Sequence, residues 1–175
     1  MDALDALAPR SAAYATLPVA DAFDWTEAGT ALGEGEWYMV AFRSVRRPDA
    51  DERMLTDYDD RAHLEASQSD GYIHYFKGPL SPDGTCLSFC IWSSRAAARA
   101  AAGKPLHAEA AGLVAEMYER YTLEFLRLRR DAGGPLTFEP YDTPPPAREP
   151  LALPPSATDL SPVPLVPAPP APAPS

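Results

Sequence analysis

The chain has 175 residues, enough for one domain with tails, and 46% of them are hydrophobic, enough for a core. A formal net charge of −10 excludes the basic footprint that nucleic acid or an anionic membrane surface requires. No apolar run reaches the ~18–20 residues of a membrane-spanning helix.

Residues 1–34 read as an extension. MDALDALAPR lacks the basic leader and apolar core of a secretory signal. VADAFDWTEAG carries Phe23 and Trp25, which are costly to leave in water, so this piece is expected to lie against the domain as a short helix. EWYMVAFRS (36–44) is a strand with apolar residues on both faces, Trp37, Met39 and Ala41 against Tyr38, Val40 and Phe42. Pro48 and Asp49 open a helix through about Ser67, acidic in its first turn, with a core stripe of Leu55, Tyr58, Ala62 and Ala66. Gly71 ends it.

GYIHYFKG (71–78) is a second strand, PLSPDG (79–84) is turn chemistry, and TCLSFCIW (85–92) is a third strand, so the pair makes a hairpin. Ser93 or Ser94 caps a helix over RAAARAAA. GKP (103–105) interrupts it, and Pro105 suits the first residue of a fresh helix. That helix is expected to run to about Arg130 on a stripe of Leu106, Ala110, Leu113, Met117, Tyr121 and Leu128. Gly133 and Gly134 end it, and PLTFEPYD (135–142) is a fourth strand. From Thr143 to Ser175 the chain is proline-rich, which predicts a disordered, locally polyproline-II tail.

The order β-α-β-β-α-β over residues 35–142 is the ferredoxin-like unit, an α+β fold whose helices cover one face of a four-stranded antiparallel sheet. The other face should then be polar. The first three strands here carry apolar residues on both faces, so the second face must also be covered. The economical cover is a second copy of the same sheet, giving an isologous homodimer of the dimeric α+β barrel kind.

The succession WYMVAFRS, DDRAHLEAS, CLSFCIW with SRAAARA and a downstream His, then MYERYTLE resembles a family of fungal and bacterial proteins of unassigned function. Their motifs are an FRS strand, an AHxEA helix, a CxW strand end followed by SRxxAR, and an MYxxY/W helix. The resemblance covers residues 37–142 and implies no catalytic residues. More distantly the topology is similar to the dimeric α+β barrels that include antibiotic-biosynthesis and haem-degrading monooxygenases. That likeness implies a pocket-lining role for Trp92 and an iron-ligating role for His107, although the GKP break before His107 departs from the pattern.

Among single residues, His107 sits in the first turn after Pro105, where backbone N–H groups and the helix dipole disfavour a protonated imidazole; it is either a packed helix-start residue or a ligand contact. His74 shares a strand face with Tyr72 and Phe76, and reads equally as a pocket group in an aromatic cavity or a bonded core histidine. His63 follows Asp59 by four residues and Asp60 by three, a helix-face pair; a metal site would need two more ligands that nothing marks.

Cys86 and Cys90 lie on one strand roughly 13 Å apart at about 3.3 Å per residue, too far for a disulfide, and read as buried small apolar residues. With no export signal, free cysteines suit a reducing, cytoplasmic location. Nucleotide, zinc-protease and nucleophile-elbow motifs are absent.

These readings predict a homodimer that binds an apolar or aromatic small molecule, with monooxygenase-like or isomerase-like chemistry. His107 and His74 are the acid–base candidates, and Trp37, Met39, Cys90, Trp92 and Tyr118 the ligand-binding ones. A haem-binding protein with His107 as axial ligand is one alternative. The other is a non-catalytic scaffold whose proline-rich tails dock on a protein partner.

Overall fold

The computed structural model describes residues 3–141. The proline-rich segment from Thr143, and Asp142 at the end of the expected fourth strand, lie outside the described residues. After a 3-10 turn at Tyr14–Thr16 come helices α1 (Val19–Ala22) and α2 (Trp25–Leu32), strand β1 (Gly35–Arg46), helix α3 (Glu52–Ser67) and strands β2 (Tyr72–Phe76) and β3 (Thr85–Trp92). Helices α4 (Arg95–Ala102), α5 (Pro105–Gly112) and α6 (Val114–Met117) follow, then strands β4 (Tyr118–Arg130) and β5 (Thr137–Pro140).

Local chemistry sets the boundaries. The Asp51 carboxylate accepts from the Met54 N–H at 3.0 Å and caps α3. Ser94 does the same for α4, taking the Ala97 N–H at 3.2 Å. Pro105 is the first residue of α5, where its missing N–H costs nothing. Gly71 turns the chain from α3 into β2 at φ +77°, and a Cβ there would lie 2.3 Å from the Ser93 hydroxyl, so only glycine fits.

The strands form one sheet in the order β2-β3-β1-β4-β5, each neighbour antiparallel. β1 to β4 and the helices between them follow the ferredoxin-like path, and β5 adds a fifth strand at one edge. The segment expected to continue a helix to Arg130 is instead β4, and 135–142 supplies the fifth strand rather than the fourth. The stripe Leu113, Met117, Tyr121 and Leu128 fits a helix, but Tyr121, Leu123 and Phe125 also alternate as a strand does. Pairing with β1 along its whole length, from Gly35 opposite Arg130 to Arg46 opposite Tyr118, decides the matter.

A register shift in β2 between Tyr72 and His74 sets Tyr72 opposite Trp92 and Tyr75 opposite Cys90, so both tyrosines face the helices. The plain alternation had put Tyr72 on the same face as His74.

Both sheet faces are buried by this one chain. On the helix side Ala66 of α3 and Ala98 and Ala101 of α4 pack with Tyr38, Cys90 and Trp92. On the other side the N-terminal residues form a roof: Leu4, Tyr14, Val19, Phe23 and Trp25 pack with Met39, Leu87, Phe89, Ile91 and Leu128. Phe23 lies edge-on to Phe76 and Phe89, with centroids 4.8 and 5.4 Å away. The expectation of a homodimer rested on this face being uncovered, and that premise is not met.

Polar ties fix the roof. The Arg43 guanidinium donates to the Ala15 and Leu17 carbonyls at 2.6 and 2.7 Å and pairs with Glu124. The Tyr14 hydroxyl donates to the Pro79 carbonyl. The Trp25 indole N–H donates to the Val19 carbonyl at 3.0 Å.

Candidate functional site

A polar cluster lies between α3 and the helix side of the sheet. Asp59, one turn before His63 on α3, accepts a hydrogen bond from the Tyr75 hydroxyl of β2 at 2.8 Å. Its second oxygen is 2.8 Å from the Lys77 ammonium, which is also 3.0 Å from Asp60. The His63 ring lies 4.9 Å from that of Tyr75 and 6.0 Å from that of Tyr72. From β4, Tyr118 and Tyr121 join the group with rings 5.3 Å apart, and the Asp59 charge acts on both. The helical layer brings His107 from α5, whose backbone N–H donates to Glu65 of α3 at 3.0 Å.

Burial controls the chemistry of these groups. It is the first cause of the raised phenol pKa values of Tyr75, Tyr118 and Tyr121, and the Asp59 charge adds to each. Tyr72 is pushed up to about 12 for the same first reason. All four phenols therefore stay protonated and can donate hydrogen bonds. Burial also pushes the Cys90 thiol up to about 12, which removes it as a nucleophile at neutral pH.

Burial works against the Lys77 ammonium, but its bonds to Asp59 and Asp60 outweigh that and raise its pKa. For His107 burial lowers the pKa and outweighs the opposing Glu65 charge, so the imidazole is neutral near pH 7. The sequence had pointed to a neutral His107 through the helix dipole; desolvation is the stronger cause. The Nδ1 atoms of His63 and His107 are both buried without a hydrogen-bond partner among the described residues. Each such nitrogen costs free energy unless something occupies it.

The sequence candidates divide between the two faces. His74, Trp37 and Met39 lie on the roofed face, where His74 Nδ1 is 3.7 Å from Asp5 and its ring 6.5 Å from that of Phe89. Cys90 and Trp92 lie on the helix side, Tyr118 begins β4 beside Tyr121, and His107 lies in the helical layer above. The two acid–base candidates, His107 and His74, therefore have the sheet between them and cannot act on one ligand. The β2 register shift places Tyr75 in the cluster, and strand pairing brings in Tyr121. His63 had been read as a helix-face pair with Asp59 and Asp60; its ring instead meets the tyrosines of β2.

Two surface clefts lie elsewhere. One of about 420 Å³ runs between α2 and the β4–β5 turn past Arg10, Thr30 and Arg130. The other, of about 440 Å³, lies between the end of α3 and the alanines of α4. The second cleft reaches Lys104, the N-cap of α5, three positions before His107. Among the described residues no group of three or more His, Cys, Asp or Glu is placed to hold a metal ion. Cys86 and Cys90 are free, and no described helix is long and apolar enough to cross a membrane.

Comparison with known proteins identifies the family. Residues 1–139 match the family described as PB2B2.08-like. UPF0643 protein PB2B2.08 of Schizosaccharomyces pombe is 32% identical over 150 residues, covering 75% of this chain and 68% of that one. Among solved structures, Rv0793 from Mycobacterium tuberculosis is similar with TM-score 0.46 and 23% identity, over 54% of this chain and 95% of that one. SnoaB, a cofactor-independent oxygenase from Streptomyces nogalater, is similar with TM-score 0.42 and 14% identity, over 55% of this chain and 93% of that one. The chain belongs to the PB2B2.08-like family.

Proposed function

We propose that this family member binds an apolar or aromatic small molecule on the helix side of its sheet and carries out acid–base chemistry on it. The observation that carries this reading is the pair of buried, unpartnered imidazole nitrogens of His63 and His107 in the same helical layer as the Asp59–Tyr75 pair. Buried titratable groups with shifted pKa values on an aromatic wall are the usual marks of a ligand site. The wall continues along the sheet through Phe42, paired with Leu123, and Val40, paired with Phe125; Leu123 is 37% exposed although it faces the helices.

In this scheme neutral His107 takes a proton, and the protonated phenols of Tyr118 and Tyr121 donate to an oxygen that gains charge. Those roles suit isomerase-like or monooxygenase-like chemistry that begins with proton removal from the substrate. The two free cysteines suit a cytoplasmic setting.

The test is an NMR titration of the intact protein with 2-naphthol as probe. Saturable shifts of the His63 and His107 ring signals are expected, with His74 unmoved across the sheet. Absence of any shift at millimolar probe, or a response confined to His74, would refute the reading.

A further inference from the structure

We infer that residues 4–32 stand in for a partner sheet, so that the domain closes as a single chain, with Arg43 as the residue that holds the closure. A ferredoxin-like sheet with two apolar faces has two ways to hide the second: pair it with a copy, or fold another part of the chain over it. In the single chain Met39, Ala41, Leu87, Phe89, Ile91 and Leu128 are all 0% exposed. A partner could bury nothing further on them, so these six residues offer a second copy no hydrophobic gain while the roof is in place.

Arg43 supplies an independent observation. It is the one cation of the FRS motif, and it lies on the roofed face two residues beyond Ala41 in β1. A charge there would be costly in a sheet-to-sheet interface unless matched by the partner. Within this chain it is already satisfied, by the Ala15 carbonyl inside the 3-10 turn, by the Leu17 carbonyl just after it and by Glu124. The side chain that fits worst in an intermolecular barrel is thus the one the roof requires.

The roof itself is built from a 3-10 turn and helices of four and eight residues. Such short helices do not persist alone, and their order depends on the sheet below. Losing the Arg43 tie should therefore loosen the whole segment, and the uncovered face then has the flat apolar character that self-pairing needs.

Sedimentation of the full chain from micromolar to several hundred micromolar is expected to give one species near 18.9 kDa. A species of twice that mass in the intact protein overturns the inference. Arg43→Met keeps the stem and removes the fork; amide exchange over residues 4–32 should rise about tenfold or more, and the variant should associate with concentration. Exchange as slow as in the intact protein, or a freely exchanging roof on a variant that stays monomeric, also overturns it. Should Arg43→Met fail to fold, Glu124→Gln weakens the same tie with the guanidinium in place and is judged by the same two readouts.

Discussion

His107 shows how one buried side chain ties stability to pH. Burial sets its pKa below the usual 6.5, with Glu65 pulling the other way. Between those two values the unfolded chain binds a proton that the native state does not. Its contribution to stability is therefore whole above the unfolded pKa and declines as pH falls toward the folded one. Urea unfolding at about pH 7.5 and about pH 5.5 should show a loss of stability on acidification that is smaller in His107→Gln. An equal loss in both proteins would place the pH dependence on other groups.

The Tyr75 hydroxyl makes a similar case: Tyr75→Phe removes its bond to Asp59 and should cost about 1–3 kcal/mol in the same assay. Asp59 keeps Lys77 in that variant, which argues for the lower end.

At the level of elements, β4 and the roof carry the larger consequences. β4 is an interior strand, paired with β1 on one side and β5 on the other. A proline at Leu126, opposite Met39 on β1, would remove a ladder donor inside the sheet and is expected to abolish the folded state by circular dichroism. The same change in a sheet-covering helix, the element read for this segment from its stripe, would kink or break that helix and leave the strand ladder intact.

In the roof, Phe23 is fully buried against three aromatic rings of the sheet and α2. Phe23→Ala should lower stability by about 3–5 kcal/mol, measured by denaturant unfolding. A cost below about 1 kcal/mol would mean that the roof is not part of the cooperative core.

At the scale of the whole molecule, two apolar layers share one sheet and face opposite ways. The roof layer is sealed by packing, with six sheet residues wholly excluded from solvent. The helix layer holds the buried imidazole nitrogens that lack a partner among the described residues. A side that anchors and a side that keeps unsatisfied polar groups for binding is a common division of labour, since sites require groups that packing alone would not retain. The single-chain closure and the ligand site are consequently separable, and the sedimentation and titration experiments test them independently.

Much of the architecture was legible in local sequence. Ser94 and Pro105 mark helix starts because caps and first turns act over three or four residues, whereas the start read at Pro48 and Asp49 falls later, with Asp51 as the cap. The doubly apolar β1 and β3 announce burial on both faces because a strand's side chains alternate with a fixed period. What the sequence left open were questions of partnership. Tyr118–Arg130 satisfies both a helical and a strand period, and only the β1 ladder selects between them. The shift at Tyr72 and His74, which moves a tyrosine across the sheet and brings Tyr75 to Asp59, leaves no mark in composition.

The sequence by itself determined that the second sheet face must be hidden, and that His63, His74 and His107 sit on ordered elements. Only the tertiary structure decided that residues 4–32 do the hiding, and that His63 and His107 share a side from which His74 is excluded. The reason is that hydrophobic periodicity reports whether a side chain leaves water, whereas what it meets there depends on residues remote in the chain.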